Sequence, residues 1–284
     1  MTSPPDPAPP QSGGPIQAGH VPDDLLQLAG RMADATGEIC RRHFRQPLAI
    51  DSKADESPVT IADRTCEQAL RRILAEERPD DSIIGEEFGA SEGSSDLTWV
   101  LDPIDGTKQF ISGKPLFGTL IACWRGHTPL LGVIDHPAMG ERWLGALGRP
   151  TTLNGIPVHV AAGDEDLSRT IIHAGDPAMF SGEAQAAGFA RLAGAVSAVV
   201  YGGDCYNYGL LASGHVLLCV DARLKPYDFA ALVPVVTGAG GCITDWSGDP
   251  LTLASSGDVV AAAAALHGAA LARLSAGRVV GNPA

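Results

Sequence analysis

The chain has 284 residues, of which 45% are apolar and 19% charged, a mixture that buries a core and excludes a disordered polyelectrolyte. Twenty Lys and Arg against 33 Asp and Glu leave a formal charge of −13. That sign excludes nucleic acid as a bulk partner, because counterion release needs a basic surface, and it excludes docking on an anionic membrane leaflet.

In chain order, residues 1–22 hold seven prolines and almost no large apolar side chain. Such a stretch cannot bury enough surface to offset its ordering entropy, so 1–21 reads as a disordered tail. No basic residue precedes Arg31 and no apolar core of a leader is present. Six cysteines occur without a CxxC pair. The expectation is free thiols in a reducing cytoplasm. From Pro22, Leu25, Leu28, Met32, Ile39 and His43 fall near one helical stripe. Asp23 and Asp24 at its start and Arg41, Arg42 and Arg45 at its end suit the helix dipole. A second helix is predicted over 62–77, burying Cys66, Leu70, Ile73 and Leu74 before Pro79.

Short apolar runs at 82–85, 98–101, 117–124, 130–134 and 142–146, separated by Gly, Pro and Asp, read as strands. Residues 150–155 read as a turn region, dividing an N-terminal α+β unit (22–150) from a C-terminal α/β unit (151–284). There, apolar runs at 170–173, 198–201 and 216–220 alternate with helices expected over 177–188, 204–213 and 228–238. Residues 259–274 pass from a strand into a last helix. The longest apolar run, 259–266, has eight residues, too few to span a bilayer. The pattern is a layered α/β chain with mixed sheets.

The informative segment is Trp99-Val100-Leu101-Asp102-Pro103-Ile104-Asp105-Gly106-Thr107. An apolar strand ends in a carboxylate, turns at proline, offers a second carboxylate, and exposes backbone at Gly106. Two carboxylates in one small volume repel unless a divalent cation lies between them, and oxygen-only ligands suit Mg²⁺ or Mn²⁺ rather than zinc. The following Gly-Thr pair can open a helix whose free N–H groups bind phosphate. Ile83-Ile84-Gly85-Glu86-Glu87 is another strand ending on acids, and Pro226-Tyr227-Asp228 and Thr60-Ile61-Ala62-Asp63 supply two more. Asp63 and Asp228 read equally as helix N-caps when taken singly.

Taken in order, VTIAD, IGEE, LDPIDGT and PYD resemble the inositol monophosphatase family of Mg²⁺-dependent, lithium-sensitive phosphatases, from about residue 23 to 275. The runs Gln109–Thr119 and Tyr201–Tyr206 look most like its histidinol-phosphatase branch. The resemblance implies a layered α-β-α-β-α sandwich of the α/β (α+β) class. It makes Glu86, Asp102 and the Ile104 carbonyl ligands of a first Mg²⁺. Asp102, Asp105 and Asp228 become ligands of a second, and Glu86 is shared with a third; Mn²⁺ is an alternative ion. Glu87 is given a supporting role. Asp63 and Thr107 would orient and deprotonate the attacking water, and the Gly106 and Thr107 amides would hold phosphate oxygens, with no phosphoenzyme.

On the leaving-group side, Asp221 and Asp204, with Gly203 beside it, fall at positions that line the family's substrate pocket. Two carboxylates there favour a cationic substrate such as histidinol phosphate over neutral inositol, unless Asp204 only caps the helix that follows it. The chain departs from the family in carrying Tyr227 before Asp228, where Trp is common. It also has Val199 and Val200 where many members carry a basic residue. The implied activity is hydrolysis of L-histidinol phosphate to L-histidinol in histidine biosynthesis. Inositol-1-phosphate, fructose-1,6-bisphosphate and 3′-nucleotides are the alternative substrates, and a catalytically silent binding protein is the rival class. A small-molecule phosphate ester and a second copy in a homodimer are the implied partners. Gly89-Ala90-Ser91-Glu92-Gly93 matches GxSxG, but the loop composition after it does not suit a nucleophile elbow.

Overall fold

The computed structural model describes residues 20–46, 50–52, 58–163 and 165–275. The tail read over 1–21 falls, but for its last two residues, outside them. Helix α1 (Asp23–His43) buries Leu25, Leu28, Met32, Thr36 and Cys40 on one stripe. Its first turn carries Asp23 and Asp24, and its last turn Arg41, Arg42 and His43. A two-stranded pair, β1 (Ile50–Ser52) and β2 (Pro58–Thr60), leads into α2 (Ile61–Glu77). Thr60 is the N-cap of α2 and Asp63 closes a capping box on it, so the N-terminal reading of Asp63 is half right: it caps from the third helical position.

Eight strands then form the first sheet: β3 (Ser82–Gly85), β4 (Gly89–Ser91), β5 (Leu97–Asp105), β6 (Gly118–Arg125), β7 (Thr128–His136), β8 (Glu141–Ala146), β9 (Arg149–Leu153) and β10 (Ile156–Pro157). A single turn of helix, α3 (Thr107–Ile111), follows β5. The sheet order is β10-β9-β8-β7-β6-β5-β3-β4, antiparallel except for the parallel pair β3/β5. The segment 150–155, expected to be a turn region, is mostly β9; only Asn154 and Gly155 turn, with φ of 50° and 82°. The 150/151 division therefore falls inside a strand of the first sheet.

The second half contributes β11 (Ile171–Ala174), α4 (Glu183–Ala193), β12 (Ala198–Tyr201), α5 (Cys205–Ala212), β13 (Leu218–Asp221), α6 (Pro226–Phe229), α7 (Leu232–Gly238), β14 (Cys242–Asp245), β15 (Val259–Ala262) and α8 (Ala264–Ser275). Its sheet runs β12-β11-β13-β15-β14 and mixes parallel with antiparallel pairs. The helix expected over 177–188 divides at Ser181-Gly182 into a 3₁₀ turn and α4. That expected over 228–238 starts two residues earlier, because Pro226 is pre-organised for a first turn, and it splits into α6 and α7.

Strand alternation makes the layers. Trp99, Leu101, Ile121, Cys123 and Val133 point to one face of the first sheet and pack on α1 and α2. Val100, Leu120, Ala122, Trp124 and Ile134 point to the other, onto α5 and α7. Cys219, Val259 and Ala261 of the second sheet close the same central layer. Leu218, Val220, Val260 and Ala262 face α4 and α8 on the far side. The result is the α-β-α-β-α sandwich. The central helix α7 comes very close to the first sheet: Gly132 and Gly145 are cross-strand partners, and a Cβ on them would stand 2.2 Å from Ala231 O and 2.3 Å from Pro234 O.

Candidate active site

The site starts from two strands that end side by side. In the parallel pair, Gly85 is in register with Leu101, and just beyond it Glu86 N donates to Leu101 O at 3.1 Å. Glu86 thereby stands beside Asp102. In a regular strand, residues i and i+3 point to opposite faces. Between Asp102 and Asp105 the β5/β6 register slips, with Asp102 opposite Leu120 but Asp105 opposite Gly118. The slip sets Pro103 and Ile104 together against Thr119; Pro103 lacks a ladder donor, and Thr119 Oγ1 donates to the Pro103 carbonyl at 2.8 Å. The bulge turns both acids to the same place. Asp228 arrives from α6, where Lys225 N donates to its Oδ2 at 2.7 Å. One oxygen each of Asp102, Asp105 and Asp228 lie within 4.8 Å of one another.

That arrangement is electrostatically costly by itself. Burial, then the charges of Glu86, Asp105 and Asp228, hold the Asp102 carboxyl well above the usual carboxylate range. Burial and Asp228 push Asp105 up to about 7, and burial pushes Asp228 up to about 7. Asp102 Oδ1 is buried with no hydrogen-bond partner. Converging oxygen donors, mutual repulsion and an orphaned buried oxygen fit a hard divalent cation, which would reverse each of these penalties.

Next to this cluster, Asp63 Oδ2 accepts from Thr60 N at 2.8 Å and Thr60 Oγ1 at 2.6 Å. Its Oδ1 faces Thr107 Oγ1 at 3.5 Å, and Thr107 Oγ1 also donates to the Ile104 carbonyl at 3.1 Å. Burial raises the Asp63 carboxyl above its ordinary range against the pull of those Thr60 bonds. Gly106 opens α3 with φ 78°, a left-handed conformation that glycine supplies without strain. A Cβ there would stand 2.8 Å from Asp204 Oδ2.

A cavity of about 630 Å³ joins this end of the first sheet to the second half. Glu86, Asp105, Gly106, Thr107 and Asp228 line one side, and Asp204 and Asp221 the other. Asp204 makes no side-chain cap to α5 and sits at φ 42°, ψ −128°, backbone normally left to glycine. Burial, then the charges of Asp105 and Asp221, push its carboxyl up to about 8, opposed by a hydrogen bond from Gln109. Asp221 is buried, and its oxygens accept from Gly175 N at 2.8 Å and Tyr208 OH at 2.8 Å. Gly203 is not among the residues that line this cavity; its φ is 99° and a Cβ would meet Asn207 Oδ1 at 2.5 Å.

Four contributors escaped the sequence reading. Glu67, expected on no functional face, is fully buried and bonds the backbone beside Glu86; its place at i+4 from Asp63 was the available signal. Cys205, through its amide, Tyr208 and Gln109 act by long-range contacts that no local spacing encodes.

Fold and site together define an α/β protein with an acidic cluster that fits a metal ion where a parallel strand pair ends. Residues 22–278 match the inositol monophosphatase family, and the chain belongs to that family of phosphatases. It is 47% identical over 241 residues to the bifunctional phosphatase IMPL2, chloroplastic, of Arabidopsis thaliana, covering 84% of this chain and 69% of that one. It is 35% identical over 260 residues to a histidinol-phosphatase of Mycobacterium tuberculosis, covering 90% and 99%. A solved inositol monophosphatase from Zymomonas mobilis superposes with a TM-score of 0.81 at 46% identity, covering 89% of this chain and 98% of that one. Among the described residues, no helix is long and apolar enough to cross a membrane.

Proposed function

We propose that this chain is a Mg²⁺-dependent phosphomonoesterase whose substrate is the phosphate ester of a cationic alcohol, L-histidinol phosphate. The observation that carries this reading is the second pair of acids, Asp204 and Asp221, facing the cation cluster across the cavity. An ammonium or imidazolium group on the leaving alcohol relieves their repulsion; a neutral polyol does not. The histidinol-phosphatase relative supports the same substrate.

Glu86, Asp102, Asp105, Asp228 and the Ile104 carbonyl would hold two or three Mg²⁺. When bound, these ions supply Lewis acidity toward phosphate and water and stabilise the attacking and leaving oxygens of an in-line displacement. The chain's own groups do the rest. The Gly106 and Thr107 amides, at the start of α3, receive phosphate oxygens. Thr107 Oγ1 fixes the attacking water and passes its proton to Asp63 Oδ1, whose burial-raised affinity suits it to accept. The water oxygen bonds to phosphorus, the ester P–O bond breaks, and the leaving oxygen takes a proton from solvent water, so that the alcohol departs toward Asp204 and Asp221; Asp63 returns its proton to solvent. Gln109 holds the Asp204 carboxylate. A cytoplasmic homodimer belongs to the same reading, and sedimentation velocity tests the dimer.

A second reading, hydrolysis of inositol-1-phosphate, is favoured by the 46% identity to the Zymomonas mobilis inositol monophosphatase. Phosphate release with and without Mg²⁺, ranked by kcat/KM over histidinol phosphate, inositol-1-phosphate, fructose-1,6-bisphosphate and adenosine 3′,5′-bisphosphate, decides between them. Asp204→Ala should cost histidinol phosphate at least about tenfold more than inositol-1-phosphate. Equal losses would leave Asp204 a structural residue and remove the basis for a cationic substrate.

A further inference from the structure

One face of α2 carries Asp63, Glu67 and Arg71 at successive intervals of four residues. Glu67 is a carboxylate with no solvent exposure, on a helix otherwise buried through apolar side chains and Asp63. Its oxygens are aimed at the turn between β3 and β4. Oε2 accepts from Glu87 N at 2.6 Å and Oε1 from Phe88 N at 3.2 Å. Arg71 Nε donates to the same Oε1 at 2.8 Å, and Arg71 Nη2 donates to the Gly89 carbonyl. The packing is tight: a Cβ on Gly85 would stand 2.0 Å from Glu67 Oε1. Glu86 lies between Gly85 and Glu87, so its backbone is gripped on both sides by one buried side chain. Its own carboxyl hydrogen-bonds Asp102.

Burying a charge costs several kcal/mol unless it is paired and bonded, and Glu67 satisfies that condition only with this turn and Arg71. Nothing in the folding of α2 requires it, since an apolar residue would fill the same position. The turn, by contrast, presents two amides, those of Glu87 and Phe88, that both find their acceptor in this one carboxylate.

We propose that Glu67 is a positioning residue for the cation site: it fixes the Glu86 turn in the conformation that presents the Glu86 carboxylate to Asp102, Asp105 and Asp228, and so sets cation affinity. The inference rests on Glu86 being a cation ligand. Asp63 and Glu67 then couple two tasks to one rigid helix, with the water-orienting acid on one turn and the support for a ligand on the next.

Glu67→Gln replaces one acceptor with an NH₂ that opposes an N–H donor. Titration with Mn²⁺ alone, followed by the electron paramagnetic resonance of the free ion, should show an affinity about 10- to 100-fold weaker than wild type. Turnover should recover as Mg²⁺ is raised, which a purely structural defect would not do. Arg71→Met keeps Glu67 but removes its orienting donor, and should weaken Mn²⁺ binding by a smaller factor; it decides the matter if Glu67→Gln does not fold. Wild-type Mn²⁺ affinity in Glu67→Gln, or in Arg71→Met where only that variant folds, overturns the role of Glu67 alone. Failure of the wild-type chain to take up Mn²⁺ overturns the cation site as well.

Discussion

The amide of Cys205 donates to Asp105 Oδ2 at 2.7 Å, across 100 positions of sequence. An acid delivered by the first sheet is thereby steadied by the opening residue of a helix from the second half. The same pattern holds for Asp228, which α6 brings to the end of β5. Neither half contains the site, and perturbing their contact should reach the chemistry.

Asp102→Asn removes a carboxylate that burial and three neighbouring acids disfavour. Turnover should fall on the order of a thousandfold or more, because a ligand is lost. In EDTA the variant should melt above wild type, by about 2–4 °C for each kcal/mol of repulsion removed. The gain should be largest above pH 7, where Asp105 and Asp228, both pushed up to about 7, are ionised. Differential scanning calorimetry and phosphate release test the two halves of this expectation. Wild-type turnover would take Asp102 out of the ligand set.

Asp204 holds backbone angles suited to glycine. Asp204→Gly should therefore be more stable than Asp204→Ala by about 1 kcal/mol, although both lose the carboxylate. Urea denaturation separates them, and equal midpoints would show that the chain relaxes locally at no cost.

His136 is fully buried, with Nε2 3.4 Å from Cys205 Sγ and its ring edge-on to Trp143 and Tyr206. Burial holds it at about 3, far below the 6.5 of a free imidazole. The unfolded chain thus takes up the proton first. The stability contributed by the neutral ring is complete above pH 6.5 and is lost as pH falls toward 3, by up to about 1.4 kcal/mol per unit. Compared with His136→Phe, which keeps a ring but no titration, the wild-type chain should lose about 3 kcal/mol more between pH 8 and pH 4. Parallel pH profiles would mean that the ring titrates in the folded chain as it does in the unfolded one.

Gly132→Ala should cost about 1–3 kcal/mol, because the added methyl meets Ala231 backbone with no flexible side chain to yield. The displaced α7 follows α6, so the variant should also bind Mn²⁺ more weakly. A urea midpoint unchanged from wild type would show that the helix can rise without loss.

The layered fold and the acids of the site were legible because both rest on local pattern. Short apolar runs broken by Gly, Pro and Asp marked the strands from 82 to 146, and carboxylates at their ends marked most of the clustered acids. The turn reading at 150–155 failed because Pro150 and Gly155 outweighed Thr151 and Leu153, and because an added antiparallel strand is stabilised by its neighbour β8, not by its own sequence. The turn expected at Pro103 is instead an irregularity inside β5, which runs on to Asp105. The Cys205 amide, the Tyr208 hydroxyl and the Glu67 carboxylate were not legible, since each acts on a partner fixed only by tertiary packing.

The five layers also distribute the chain's four tryptophans, all buried. Trp99 lies between α1/α2 and the first sheet, Trp124 and Trp143 lie in the central layer, and Trp246 lies beneath α4 and α8. Three of the four interfaces between the layers thus contain a fluorophore. Single-tryptophan variants would read the three seams separately, and the shared middle layer requires them to part together, at one denaturant concentration.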